Sequence, residues 1–157
     1  MESGQRPPEE TLLNTALTFL KVFDSLDASV IRRIQAETYT HYFAPASLGI
    51  HERNLTQFAD HLKGLKAVLK AFPVIPKETF VNPSLKQVTF WATAIPEFHQ
   101  RLIRQDDGEK WSYQGEYIFM LFMDHTGGKV ERVIEFLDSK GTEHLMELVK
   151  LAKSRAL

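Results

Sequence analysis

WSYQGEYIFMLFMD, residues Trp111–Asp124, is followed by HTGG and then by KVERVIEFLDS, residues Lys129–Ser139. The two flanking runs read as long strands around a glycine-containing hairpin turn. Alternation sets Trp111, Tyr113, Gly115, Tyr117, Phe119 and Leu121 on one face of the first run. Ser112, Gln114, Glu116, Ile118, Met120 and Phe122 take the other. On the second run Glu131, Val133, Glu135 and Leu137 share a face by alternation, opposite Val130, Ile134 and Phe136, but Glu131, nearest the hairpin, is expected to be solvent-exposed. Both faces become apolar toward the turn, so this sheet is expected to be covered on both sides. Helices around a cavity would cover one side, and a homodimer through the outer sheet face the other.

Polar groups on such a strand need a reason. Glu135 sits between Ile134 and Phe136, and a buried carboxylate is costly unless hydrogen-bonded. A tyrosine hydroxyl from the neighbouring strand can donate to it. Tyr113 and Tyr117 are four residues apart and would lie about 13 Å apart along an extended strand, lining a pocket without touching. The alternative is an exposed edge glutamate beside ordinary strand tyrosines.

Upstream, the pattern is helical. Residues 1–10, with Pro7 and Pro8, are expected to be a flexible N-terminus, and 11–157 a single domain. From Thr11 the residues Leu12, Ala16, Phe19, Leu20 and Phe23 recur at helical spacing. Asp27 is placed to cap a shorter helix through Val30, Ile31 and Ile34. TYTHYFAPASLGI is a strand up to Pro45 and a loop after it. Asn54 begins a third helix whose stripe is Leu55, Phe58, Leu62, Leu65, Leu69 and Phe72, ended by Pro73. LKQVTFWATAI and EFHQRLIRQ read as further antiparallel strands, with DDGE as a hairpin turn. A last amphipathic helix carries Leu145, Leu148, Val149 and Ala152 on one side. Helices followed by strands argue for an α+β fold, the helices laid on a bent sheet that encloses a pocket.

Composition removes several chemistries. The 157 residues hold 43% hydrophobic and 25% charged side chains with a net charge of −1, which gives no reason to expect nucleic acid or an anionic membrane. There is no cysteine, so thiolate catalysis, disulfides and thiolate-bound zinc are out. The polar start MESGQRPPEE lacks an apolar signal core, and no run is long enough to span a membrane, so a cytoplasmic protein is expected. HTGGK lacks the spacing of a phosphate-binding loop, and no closely spaced histidine pair offers a metal shell. No cofactor and no metal are expected, which leaves chemistry by Glu, Tyr and His.

His41, on the first strand, and His61, on the margin of the third helix's stripe, are the histidines that can reach a cavity; Asp60 points the other way. His51, His99, His125 and His144 fall in loops, turns or helix ends. Trp91, Trp111 and Phe119, with Tyr42 beside His41, are candidates for walls that hold an apolar skeleton.

Three segments together resemble the SnoaL-like branch of the nuclear-transport-factor-2-like (NTF2-like) superfamily: SLDASVIRRIQAETYTHYFAPASL, NLTQFADHLKGLKAVLKAF and GEYIFMLFMDHTGGKVERVIEFLDS. THYFAPASL is similar to fungal members acting in meroterpenoid and indole-alkaloid pathways. The resemblance implies a conical fold, usually dimeric, and a cofactor-free isomerase or cyclase acting on a polycyclic secondary metabolite. It implies that strand tyrosines and a carboxylate on the last strand line the pocket, by position Tyr113, Tyr117 and Glu135. An active-site position on the first strand falls near His41 or Tyr42, with His41 preferred. Asp138, at the strand end, departs from the acid–base aspartate of bacterial polyketide cyclases, which favours the fungal type of reaction. In this scheme Glu135 moves a proton, Tyr113 and Tyr117 stabilise a charged oxygen, and His41 orients the substrate or carries a second proton, with His61 behind it. A dehydratase of the scytalone dehydratase type and a non-catalytic small-molecule-binding module are the alternatives.

Overall fold

The structure, a computed structural model, describes residues 4–157. Part of the expected flexible N-terminus, residues 1–3, lies outside the described residues. Helix α1 (Glu9–Leu20) starts two residues ahead of the apolar pattern, with Glu9 and Glu10 in the first turn, where the helix dipole favours carboxylates. Leu12, Ala16, Phe19 and Leu20 form its buried stripe. Helix α2 (Val22–Ser25) follows, and Asp27 then caps a turn of tighter pitch over Ala28–Ile34 by accepting the Ser29 N–H at 3.0 Å.

Strand β1 (Gln35–Ala44) leads through a loop to the short β2 (Arg53–Asn54) and helix α3 (Leu55–Lys66). Asn54 and Gln57 close a reciprocal capping box, each bond 2.9 Å. The helix stops at Lys66, short of the expected Phe72. Leu69–Ala71 instead forms β3, and the Phe72 N–H donates to the Phe23 carbonyl at 2.9 Å. A buried short strand and a helix stripe both want apolar residues there, and backbone partners outside the helix decide the outcome.

The remaining strands are β4 (Val74–Asn82), β5 (Gln87–Ala94), β6 (Glu97–Phe98), β7 (Gly115–Met123) and β8 (Val130–Leu137), followed by helix α4 (Ser139–Arg155). Strand β4 has no counterpart in the sequence reading. It is a sheet edge, mostly exposed, so its Pro, Lys and Glu residues carry no alternation. EFHQRLIRQ is not a long strand: only Glu97–Phe98 pairs, and helical turns at Gln100–Leu102 and Gln105–Asp107 take up the rest, including the expected DDGE hairpin. Asp107 explains this. It receives the Arg104 N–H at 2.8 Å, the Trp111 indole N–H at 2.8 Å and both Arg155 guanidinium nitrogens at 2.7 and 2.9 Å. Those bonds hold the carboxyl of Asp107 far below its ordinary range and tie the end of α4 to this loop.

Six strands form one mixed sheet in the order β2-β1-β8-β7-β5-β4, with β1 and β8 parallel and the other pairs antiparallel. Its inner face carries Tyr39, His41, Phe90, Tyr117, Phe119, Leu121, Val133 and Glu135, covered by the helices. The HTGG turn is fastened to α1 by the Thr15 hydroxyl, which donates to the Gly127 carbonyl at 2.7 Å. Gly127 has φ 76°, and a Cβ there would stand 2.7 Å from Pro7, so both conformation and space demand glycine. A bulge follows, with Phe122 opposite Arg132 and Met123 opposite Val130. It returns Val130 to the inner face with Val133 and turns Glu131 outward, contrary to simple alternation. The outer face exposes Tyr42, Phe80 and Phe136, with Trp91, Ile118 and Ile134 between them.

Candidate active site

Strand β1 presents Tyr39, His41 and Phe43 inward at every second residue. In the parallel pairing with β8, Phe43 stands beside Glu135 and His41 beside Val133, so His41 and Glu135 meet on the diagonal. His41 Nε2 lies 3.0 Å from Glu135 Oε1, and His41 Nδ1 lies 2.8 Å from the Tyr39 hydroxyl. A carboxylate only accepts, so Nε2 carries the proton that bonds it. The other ring nitrogen, Nδ1, is paired with the Tyr39 hydroxyl. Burial, and next the charge of Glu135, raise the Tyr39 phenol well above its ordinary range, so it stays a donor. His41 is fully buried, its ring stacked between Phe43 at 4.7 Å and Phe58 at 4.8 Å. Tyr39 was missed at the sequence level. Its signal was its place two residues before His41, on the same face.

Glu135 is 8% exposed, and its remaining surface opens into a cavity of about 450 Å³. Phe43, Leu65, Leu69, Phe72, Leu137, Leu145 and Val149 make the wall mainly apolar; Arg53, His61, Tyr117 and Thr142 add polar groups. Tyr117 is 3% exposed, and burial, then its contact with Tyr113, raises its phenol far above the usual range.

The expected tyrosine geometry needs correction. Tyr113 precedes β7 and is not part of the strand, so the spacing of an extended chain does not apply. The two hydroxyls are hydrogen-bonded at 3.2 Å. Gly115 lets them meet: a Cβ at that position would come within 2.6 Å of the Tyr113 hydroxyl and would also collide with that of Tyr117. Nor does a tyrosine donate to Glu135; His41 does. Asp138 caps α4, its Oδ1 accepting the Gly141 N–H at 3.2 Å.

Four of the candidates for the substrate wall lie elsewhere. Tyr42 alternates with His41 and so faces outward, 40% exposed. Trp91 is also on the outer face, its indole N–H donating to Glu116 at 2.8 Å under Lys77, whose Nζ is 3.9 Å from the ring centre. Trp111 is held by Asp107 and packs 4.8 Å from Phe98. Phe119 does face inward but is core, filled in by Phe23 at 5.7 Å and Tyr117 at 6.0 Å. His61 does line the cavity, edge-on to Phe43. Among the described residues no three His, Asp or Glu side chains converge as a metal site needs.

The His61 pKa is pulled down to about 3 from 6.5, first by burial, then by Arg53, His41 and Lys153. Its ring is therefore neutral in the fold over a range where the unfolded chain takes up a proton. The stability tied to this difference is complete above pH 6.5 and is lost as pH falls from there toward 3. His61→Gln is expected to flatten that part of the acid-sensitivity curve. Urea midpoints at about pH 7 and about pH 5 check it; an equal drop in variant and parent would rule out a buried neutral imidazole.

No protein-family model matches the sequence, and no curated protein matches it. Solved structures do. AusH from Aspergillus nidulans is 23% identical, with a TM-score of 0.71 over 85% of this chain and 87% of that one. BvnE pinacolase from Penicillium brevicompactum is 21% identical, with a TM-score of 0.74 over 94% of this chain and 98% of that one. PrhC from Penicillium brasilianum NBRC 6234 is 18% identical, with a TM-score of 0.74 over 94% of this chain and 93% of that one. At these identities the likeness is one of fold. The chain has the NTF2-like, cystatin-like α+β fold.

Proposed function

We propose that this chain is a cytoplasmic, cofactor-independent isomerase or cyclase that rearranges or closes a ring of a polycyclic secondary metabolite by acid–base chemistry. The observation that carries the reading is the chain Tyr39–His41–Glu135, which ends at an apolar cavity with Tyr117 on another wall and Tyr113 behind it, hydrogen-bonded to the Tyr117 hydroxyl but not itself part of the lining. Glu135 is the group that reaches both a proton partner inside the protein and the ligand space. It takes or gives the substrate proton, while His41 holds the carboxylate in place through Nε2–H. The Tyr117 hydroxyl, oriented by Tyr113, donates to an oxygen on which negative charge develops. The mainly apolar wall lowers the local dielectric, so these dipoles act more strongly than in bulk water. The fold shared with a pinacolase supports a rearrangement over a bond cleavage.

The His41–Glu135 pair also suits dehydration, since a histidine–carboxylate couple can remove a proton and protonate a leaving hydroxyl. Product mass separates the readings. Incubation with polycyclic hydroxy-ketones and epoxides, followed by mass spectrometry, is expected to give products of unchanged mass. Loss of water would make the chain a dehydratase, and binding without any conversion would make it a carrier.

The outer sheet face is proposed to join two copies. Tyr42, Phe80 and Phe136 are 40%, 56% and 48% exposed there, an apolar surface that a second sheet would cover. Light scattering should return twice the chain mass; a monomer at micromolar concentration would rule this out.

A further inference from the structure

Arg53 is the charged wall residue that the acid–base scheme leaves idle. It stands directly opposite His41 in the β1–β2 pairing, and so on the same inward face, with its guanidinium carbon 5.1 Å from the centre of the Phe43 ring. Its Nη1 is buried and has no hydrogen-bond partner. The Thr142 hydroxyl, also on the cavity wall, is buried and unpartnered too. Lys150 and Lys153, on α4, complete the cationic side of the lining.

Among the described residues none of these three cations forms an ion pair; the ion pairs are His41–Glu135, Lys110–Asp107 and Arg155–Asp107. Glu135 is the one acid on the wall; His41 occupies its Oε1, and its single charge is shared with Arg53. Three cations facing one committed carboxylate stand out in a chain whose net charge is −1. A half-buried guanidinium without a partner is costly, and an anionic oxygen group is what a planar fork of N–H donors accepts best.

We infer that the cavity takes an apolar ligand bearing an anionic oxygen group, a carboxylate or acidic enol, which Arg53 holds while Lys150 and Lys153 add positive charge to the lining and Thr142 offers a further hydroxyl. This rests on the cavity being the substrate pocket and adds the chemical class of what enters it. The anchored end fixes the ligand beside β2, which leaves its polycyclic part along Leu65, Phe72 and Leu137 toward Glu135 and Tyr117.

A matched pair of fluorescent probes tests this on the full chain: anilinonaphthalene sulfonate, and phenylnaphthylamine, which has the same rings without the sulfonate. The sulfonate should bind about tenfold tighter than the neutral probe, the effect of one charged hydrogen-bonding anchor. Arg53→Gln should remove most of that preference and Arg53→Lys should keep part of it, with the neutral probe's affinity unchanged in both. Equal affinities in the parent, or a preference that survives Arg53→Gln, would overturn the anion site while leaving the cavity reading intact. If neither probe binds, the cavity is not a ligand pocket, and both readings fall.

Discussion

Glu135→Gln is expected to lower turnover by about 10²–10⁴-fold, the contribution of one positioned acid–base group. The substitution is chosen for what it keeps. Glutamine is of the same size, and its carbonyl oxygen can still accept the His41 Nε2–H that now reaches Oε1 at 3.0 Å. Substrate affinity and the unfolding midpoint should therefore stay near those of the parent, and the loss should appear in kcat. The measurement is a steady-state rate on whichever polycyclic substrate the product screen returns. Turnover equal to the parent's would remove Glu135 from the chemistry and transfer the proton to another group on the wall, of which Tyr117 is the first candidate.

His41→Leu should have the largest effect on stability. The ring has no exposed surface, is stacked between two phenylalanines and bonds a buried partner on each side. Leucine fills most of the space but leaves the Tyr39 hydroxyl and the Glu135 carboxylate without partners. Removing the partner of a buried carboxylate leaves an uncompensated charge, which costs about 3–5 kcal/mol. For a domain of this size that lowers the melting temperature by roughly 10 °C. Adding Glu135→Leu to His41→Leu should recover much of the loss, because an apolar pair has no charge left to satisfy. Chemical denaturation of the parent, both single variants and the double variant measures the coupling. Additive losses would mean that the two side chains are neighbours without being partners.

The sequence exposed the frame of the molecule unevenly, and for physical reasons. Alternation is strong in β7 and β8 because one face is core, and it put Tyr117 and Glu135 on the inner face. It could not register the bulge at Glu131, since a single extra residue leaves no compositional mark. The same reading carried the strand back through Tyr113, where Gly115 in fact begins it, and so gave the two tyrosines the wrong separation. Strand β4 was invisible because an edge exposed on both sides needs no pattern. His41 was found, but its partner was not: which strand lies beside β1 is a matter of topology, and a parallel neighbour from the far end of the chain has no local signal. Trp91 and Trp111 were drawn to the pocket by chemical type alone, while the sheet's pleat and the carboxylate of Asp107 decided where they went. Arg53 was passed over because a two-residue strand is too short to read.

The parallel contact of β1 with β8 also sets a timetable. His41 and Glu135 are separated by 94 residues, and two parallel strands can meet only after the intervening chain has crossed back. A ribosome delivers the imidazole 94 residues ahead of its carboxylate. No nascent fragment that lacks β8, and no folding intermediate in which β8 is still free, possesses the His41–Glu135 contact. Contacts of such long range form late and slowly. A copy that lacks β8 therefore lacks the pair altogether, and no partial version of it exists.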